Sequence, residues 1–482
     1  MKKYIMLIII IMAIGYMTAC GTDNVDDIDY KVDIDYEAKE ECANELLPNV
    51  ATDPGLLSSA QAIEDVNQML NVLRENFPFF DIAYVELGVD IESLALEAKN
   101  MLDSIEHITI ADFYLLLENS FRPLWGVGHF AIHHPHTDFT DGEWVRPIRD
   151  ENELDSFEDV LSFLGWDDSP NSGNNQNLRR LLWDIRLYYP KEIYNDIVQG
   201  IEERDLDALM EAFWLIHLRT NVVADIIEEG NIAYLAIRSM APFMRDIAIR
   251  DDELLMLSEF YNSIENFEHI IIDIRGNDGG SGIMFDRLVF APLTESNDDM
   301  TVDAIIFYFA GDYVMERLDI VPMNFGGMKI VDTKPLSMDI FLQEFYLPEL
   351  NQQNVQRADY ALRVQFLPNT IPHPMIDINF SGKVWLLTDE FNYSASHMAA
   401  WISQEAGFAT LVGEPTSGGF GGFPDRVNGA MENSRMQFQF DHTGILNSRG
   451  GVIEGGIIPD HFNREGMCAL ETTLALIAEG AY

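Results

Sequence analysis

Apolar residues in the N-terminal third of the chain repeat with helical spacing. Five of them recur at intervals of three and four and therefore share one face of a helix: Ile63, Val66, Leu70, Leu73 and Phe77. The pattern predicts a small helical domain over residues 51–140. Residues 141–228 also have a mostly helical pattern and are predicted to form a cap or insertion.

The pattern changes near Asn231, where short apolar runs alternate with helical stretches. Buried strands are predicted at 269–274, 384–387 and 409–412, and helices at 252–267 and 394–404. Strands that alternate with helices indicate an α/β fold with a largely parallel central sheet. We expect residues 229–482 to form this core, with the helical N-terminal and insertion domains outside it.

The first twenty residues carry a targeting signal. Lys2 and Lys3 precede an apolar run from Leu7 to Met17, which is too short to span a bilayer but suits a signal peptide. The following Thr18-Ala19-Cys20 resembles a bacterial lipoprotein cleavage site, although an ordinary signal peptide with an incidental cysteine would also fit. We expect residues 1–19 to be removed and a lipid on Cys20 to anchor the protein, outside the cytoplasm, to the bacterial cell membrane.

Charge and cysteine content narrow the choice of partners. The 482 residues include 80 Asp and Glu against 30 Lys and Arg, a formal net charge of -50, so a phosphate backbone would be repelled and no nucleic-acid partner is expected. Residues 20–50 are rich in acidic side chains and are predicted to be a solvated tether. Cys42 and Cys468 can form a disulfide outside the cytoplasm, but the sequence does not establish one.

Two segments that follow predicted strands carry candidate chemistry. The glycine-rich residues 275–282 expose backbone N–H groups, as an oxyanion hole or a phosphate site requires, although glycines also merely permit tight turns. Ser394 lies between a strand and a helix, where its hydroxyl is exposed and neighbouring N–H groups are free. A serine there can equally be a simple helix cap.

Together these segments resemble one family. Residues 273–280, Asp-Ile-Arg-Gly-Asn-Asp-Gly-Gly, resemble the Asp-x-Arg-x-Asn-x-Gly-Gly motif of the tail-specific (C-terminal-processing) serine proteases, and residues 391–415 resemble the family's nucleophile helix and following strand. The resemblance implies a crotonase/ClpP-like protease core, peptide or protein substrates and no cofactor. It also implies Ser394 as nucleophile and an oxyanion hole from Gly279 or Gly280 with the N–H of Ala395.

The general base departs from the commoner pattern of this family. Many members use a lysine near the nucleophile helix, but no lysine follows Lys383. The tricorn-like Ser-His-Glu branch uses an upstream histidine and a glutamate before a Gly-Val-x-Pro-Asp motif; the resemblance implies His129 as base and Glu454 as its acid. A neutral imidazole, with an unperturbed pKa of about 6.5, can accept a serine proton at physiological pH. Gly128 stands where the tricorn pattern has serine.

Other interpretations of these residues remain open. His397 could compete as base, but its direction on the helix favours a solvent-exposed or a packing role. A metal site is not expected, because Pro135 interrupts the possible strand and no familiar ligand spacing completes the cluster formed by His129, His133, His134, His136 and Asp138. The same fold could also support a non-catalytic ligand- or peptide-binding protein, or an esterase. No segment indicates a PDZ insertion.

Overall fold

The computed structural model describes residues 56–133, 199, 221–240, 251–294, 300–312, 315, 324–325, 328–332, 334–368, 380–419 and 426–480. The predicted signal peptide, the acidic tether and nearly all of the predicted helical insertion lie outside these residues. Within the described ranges, none of the helices combines the length and the apolar character needed to cross a bilayer.

A helical unit forms the N-terminal part of the described chain. Its elements are β1 (Leu56–Ser58), α1 (Ser59–Asn76), α2 (Phe80–Val85), α3 (Ile91–Asp103), β2 (His107–Thr109), α4 (Ile110–Phe121) and, after short turns, β3 (Ala131–His133). Ser58, Asp90 and Thr109 cap α1, α3 and α4 with side-chain oxygens that accept from first-turn N–H groups. The predicted face of α1 is buried except at Ile63, which is partly buried.

The remaining elements follow from residue 222 onward. They are β4 (Val222–Glu228), β5 (Ile232–Ile237), α5 (Asp251–Ser263), β6 (His269–Asp273), α6 (Gly282–Phe285), α7 (Ala291–Leu293), β7 (Val302–Tyr308), β8 (Asn324–Phe325), β9 (Met328–Ile330), β10 (Leu336–Ser337), α8 (Met338–Glu344), β11 (Tyr360–Phe366), β12 (Lys383–Thr388), α9 (Ala395–Glu405), β13 (Thr410–Gly413), β14 (Val427–Ala430), β15 (Gln437–Phe440), β16 (Gly444–Asn447), β17 (His461–Phe462) and α10 (Ala469–Glu479).

The central sheet has six strands in the order β17-β13-β12-β6-β5-β4. Every neighbouring pair is parallel except β4 with β5, which confirms the predicted α/β class. One face packs against α5 and α9, and the other against α10. Strands covered on both faces have continuous apolar interiors, as β6 has at 270–272 and β12 at 384–387.

The edge strand β4 corrects one predicted boundary. Its seven residues, Val222–Glu228, pair with β5 and belong to the core sheet, whereas the sequence pattern assigned them to the mostly helical segment 141–228. The core therefore begins before residue 229.

Besides the two-stranded antiparallel pair of β1 and β2, two larger antiparallel sheets accompany the parallel one in the described chain and were not predicted. The larger has the order β16-β7-β11-β9-β8, with β10 also paired to β11. The smaller has the order β14-β15-β3, so that β3 of the N-terminal unit pairs with β15 of the core. This second sheet joins two parts of the chain that are far apart in sequence.

Candidate active site

Ser394 occupies a sharp turn between β12 and α9. Its backbone has φ 55° and ψ -119°, a conformation that non-glycine residues rarely adopt and that proteins retain where the surroundings enforce it. Its N–H donates to the Gly418 carbonyl at 2.9 Å, and the backbones of Tyr393 and Gly418 pair as an isolated parallel β-bridge. A strained strand-to-helix turn of this kind presents the Ser394 hydroxyl beyond the carboxyl end of the sheet.

Buried polar side chains join this turn to the glycine-rich loop. Asn392 accepts from the Asp389 N–H at 2.8 Å and donates to the carbonyls of Ile274 and Asn277. Asp389 in turn accepts from the Gly276 N–H, with distances of 2.9 and 3.0 Å to its two oxygens. Burial raises the pKa of the Asp389 carboxyl to about 6, against the opposing effect of the N–H groups. The two sequence motifs thus form one hydrogen-bonded unit.

The start of the loop is fixed by a buried ion pair. Arg275 contacts Asp273 through two hydrogen bonds, Nε to Oδ1 at 2.9 Å and Nη2 to Oδ2 at 2.6 Å. The Tyr234 hydroxyl donates to Asp273 Oδ2 at 2.7 Å. Since β5 and β6 are neighbours, these contacts hold the loop at the carboxyl ends of both strands.

Gly279 lies directly against the nucleophile turn. Its φ is +99°, and a Cβ there would overlap the Tyr393 carbonyl oxygen and lie 2.7 Å from the Ala395 nitrogen. The Gly279 N–H is already engaged, because it donates to Asn277 Oδ1 at 2.9 Å. Gly279 therefore permits the close approach of the two segments but does not offer its own N–H to a ligand.

Gly280 and Ala395 offer the remaining N–H groups. Met240 donates to the Gly279 carbonyl at 2.9 Å and accepts from Ser281, so the intervening Gly280 N–H points to the other side of the loop. Ala395 is the first residue of α9, where N–H groups have no acceptor within the helix. Among the described residues, neither N–H donates to a protein acceptor. Both are suited to bind developing negative charge.

His129 lies beside Ser394, at the end of a turn with unusual backbone angles. Gly126, Gly128 and His129 have φ values of 85°, 51° and 52°. The distance from His129 Nε2 to Ser394 Oγ is 3.0 Å. The Tyr393 hydroxyl donates to the Gly126 carbonyl at 2.6 Å, and the Tyr393 ring lies edge-on to the imidazole. The residue next to the nucleophile thus holds the turn that carries the histidine.

The other imidazole nitrogen contacts Asp441, which the sequence did not single out. Nδ1 of His129 is 2.6 Å from Asp441 Oδ2, and the Asp441 N–H donates to the Gly128 carbonyl at 2.7 Å. The Asp441 side chain is only 1% exposed. Its alternating neighbours at 437–440 have the pattern of a strand, but nothing in that pattern says which strand it pairs with.

Glu454, the acid expected to support His129, binds the backbone of the same turn instead. Its Oε1 accepts from the Gly128 N–H at 2.7 Å, and the residue is buried. Both imidazole nitrogens are already occupied, one by Ser394 and one by Asp441. A side chain at Gly128 would overlap the Phe79 ring and lie 2.9 Å from Phe77, so the serine of the tricorn pattern has no room here.

Comparison with known proteins finds a match to one family in the core of this chain. Residues 231–462 match the model of peptidase family S41. The chain contains a peptidase family S41 domain. It is a serine peptidase, and the family resemblance seen in the sequence is confirmed, whereas the tricorn-like branch stays a prediction. Among curated proteins, none matches this sequence at a significant level.

Solved structures similar to this chain are distant in sequence. A candidate peptidase from Parabacteroides merdae ATCC 43184 is 14% identical, with a TM-score of 0.47, 87% of this chain covered and 97% of the other. Mature CPAF is 14% identical with a TM-score of 0.46; the match covers 84% of this chain and 92% of the CPAF chain. The tricorn protease is 14% identical with a TM-score of 0.25, covering 52% of this chain and 18% of its own.

His397 of the S41 domain is buried beneath the nucleophile turn and does not contact Ser394. Its Nδ1 lies 2.7 Å from Thr416 Oγ1, which also accepts from the Ile457 N–H, so the threonine proton is directed to the imidazole. Burial lowers the pKa of His397 to about 3, which keeps the ring neutral. Of the two expected roles, solvent exposure and packing, this buried environment fits packing.

The remaining candidate groups lie away from Ser394 or outside the described residues. Lys383 is the first residue of β12, at the end of the strand opposite to the nucleophile, and packs over the Trp385 ring. His134, His136, Asp138 and the lipidation candidate Cys20 lie outside the described residues. Within the described ranges, no three His, Cys, Asp or Glu side chains are grouped to hold a metal ion.

Proposed function

We propose that the S41 domain cleaves peptide bonds through an acyl-enzyme on Ser394, with His129 as the general base. The observation that carries this proposal is the 3.0 Å distance between His129 Nε2 and Ser394 Oγ. A base must lie within hydrogen-bond reach of the proton that it removes, and this distance satisfies that requirement.

The acylation step follows from these two residues. Ser394 Oγ attacks the carbonyl carbon of the scissile bond while His129 Nε2 takes the hydroxyl proton. The resulting tetrahedral intermediate collapses when His129 delivers that proton to the leaving amine. Water then attacks the acyl-enzyme, again with His129 as base, and releases the carboxylic acid product and free Ser394.

The N–H groups of Gly280 and Ala395 would stabilise the oxyanion of both intermediates. They belong to the loop after β6 and to the first turn of α9, which are joined through Asn277 and Asn392. Donors held in place before the reaction need no rearrangement when the negative charge develops, and one such donor contributes about 10²- to 10³-fold to kcat.

Labelling with a fluorescent fluorophosphonate tests this mechanism. The purified protein without residues 1–19 should label and should cleave members of a peptide library, whereas Ser394→Ala should do neither and His129→Ala should label far more slowly. Ser104→Ala, a change of the exposed serine that follows α3, is the matched control. A folded wild type that neither labels nor cleaves any peptide would favour a binding protein and overturn the proposal.

We further propose that the peptidase is a lipoprotein held at the outer side of the bacterial cell membrane through Cys20. The support is the sequence alone: two lysines, a short apolar run and a small residue before the cysteine. Cells that express the full chain should incorporate a tagged fatty acid into the wild type but not into Cys20→Ala. Equal incorporation into the two proteins would contradict the anchor.

A further inference from the structure

Two buried carboxylates meet the turn that carries His129, and they contact different parts of it. Asp441 contacts the imidazole at Nδ1, and Glu454 contacts the peptide N–H of Gly128. Both side chains are almost completely shielded from water. In such surroundings each carboxylate needs hydrogen-bond donors, and each has a different one.

We propose that Asp441 is the positioning residue that orients His129 and fixes its tautomer, while Glu454 holds the backbone of the turn through the Gly128 N–H. This inference rests on the proposed function of Ser394 and His129. It transfers to Asp441 the role that sequence resemblance gave to Glu454.

The tautomer follows from the hydrogen-bonding capacity of an ionised carboxylate. Asp441 Oδ2 can only accept, so the 2.6 Å contact places the imidazole proton on Nδ1. The lone pair of Nε2 then faces Ser394 Oγ, as a general base requires. When the ring gains the serine proton, the nearby negative charge stabilises the imidazolium without becoming protonated itself.

Strand pairing sets the position of Asp441. In the β3–β15 ladder Ala131 lies opposite Gln439 and Ile132 opposite Phe438. Continuing this antiparallel register by two residues brings His129 opposite Asp441. The hydrogen bond from the Asp441 N–H to the Gly128 carbonyl lies at this extension. A sheet, and not a mobile side chain, therefore holds the carboxylate at the ring.

The second oxygen of Asp441 faces a cation at longer distance. Arg426 Nε is 3.8 Å from Oδ1, and the arginine side chain is 38% exposed. At that distance and exposure water screens the attraction, so Arg426 does not draw the carboxylate away from the imidazole. The short contact to His129 remains the dominant one.

The contact made by Glu454 needs less from its side chain than the contact made by Asp441. An N–H donor needs an oxygen acceptor, and a glutamine side chain provides one of the same shape. An imidazole that must be oriented and electrostatically stabilised needs a charge, which asparagine cannot provide. The two positions should therefore respond differently when a carboxylate is replaced by its amide.

The test compares Asp441→Asn with Glu454→Gln in the protein without residues 1–19. In Asp441→Asn the amide can donate to Nδ1 and favour the wrong tautomer, so kcat for a peptide substrate should fall by roughly 10³- to 10⁴-fold with little change in KM. In Glu454→Gln kcat should fall by less than ~10-fold, because a neutral acceptor weakens but keeps the bond. Proton NMR adds a direct readout: a strongly deshielded imidazole proton should be seen in wild type and Glu454→Gln, and be absent from Asp441→Asn and His129→Ala.

The possible outcomes are separable. Equal losses in the two amide variants, or a larger loss in Glu454→Gln, would overturn the inference. If Asp441→Asn does not fold, the wild-type spectrum still decides, because absence of a deshielded proton assigned to His129 would contradict the contact. Full activity of Ser394→Ala or His129→Ala would instead remove the proposed function itself.

Discussion

The site has two halves that are built in opposite ways. The nucleophile half, residues 273–282 and 389–396, consists of two loops at the carboxyl ends of the parallel strands β6 and β12. The base half, residues 126–133 and 437–441, consists of a strained turn and a strand that meet through the antiparallel pair β3 and β15. Hydrogen bonds between two loops that each directly follow a strand fix the first half, whereas a contact between residues 312 positions apart fixes the second.

The two halves therefore make different contributions to the proposed reaction. In the nucleophile half, buried amide and carboxylate side chains determine where the oxyanion donors lie. In the base half, ring packing and strand register determine where the imidazole lies. A substitution in one half should act mainly on the function of that half, except at Tyr393, whose hydroxyl donates to the Gly126 carbonyl of the base half.

Gly279→Ala should have the largest effect of the changes considered for this comparison. The added Cβ would overlap the Tyr393 carbonyl and disfavour φ +99°, and should displace the oxyanion donors and lower kcat by at least ~10²-fold. Gly466→Ala is the matched control, since Gly466 has φ +76° with open space around it. Kinetics and thermal unfolding of both variants provide the check. Similar kcat values would show that the loop is not held as described.

Gly128→Ser should disturb only the base half. The side chain would overlap the Phe79 ring and shift the turn, and a shift of about 1 Å in a catalytic group can cost about 10²-fold in rate. The labelling rate should fall accordingly and recover in part when Phe79→Leu makes room. Gly88→Ser, at a positive φ with nothing within 4 Å, should label like wild type. A double variant no better than the single one would contradict the packing explanation.

The smallest expected effect is the change with pH in the contribution of Asp389 to protein stability. Its pKa rises from 3.8 in an unperturbed carboxyl to about 6 in the fold, so the native state binds this proton more tightly than the unfolded state. The contribution of Asp389 to stability is therefore fully present below pH 3.8 and is lost as the pH rises through about 6, a change of ~3 kcal/mol at most. Urea unfolding of wild type and Asp389→Asn at pH 4 and pH 7 measures the difference. The free energy of unfolding of wild type, minus that of Asp389→Asn, should be lower at pH 7 than at pH 4. The same value of this difference at both pH values would refute the raised pKa of Asp389.

The nucleophile half was largely predictable from sequence because each of its two segments is a short contiguous motif that directly follows an apolar strand. The apolar runs before residues 274 and 388 fall on strands β6 and β12, and the polar and glycine residues after them form the loops. Of the two glycines proposed for the oxyanion hole, only the structure separates Gly280, with its outward N–H, from Gly279, whose N–H is engaged.

The base half was not predictable to the same degree. His129 was identified only by resemblance, and Asp441 was missed because its role depends on which strand β15 pairs with. Nor could the sequence explain Gly128, since the reason is the position of the Phe79 ring. The two antiparallel sheets were missed for a similar reason: their strands are short and their partners are distant in sequence.

The long-range pairing of β3 with β15 has a consequence for the synthesis of the protein. A growing chain contains His129 early and Ser394 much later, but the carboxylate at the imidazole follows only with residue 441. Pairing between segments so far apart is among the slower events of folding. An incomplete copy, still emerging from the ribosome or cut short before β15, therefore lacks this contact at its imidazole.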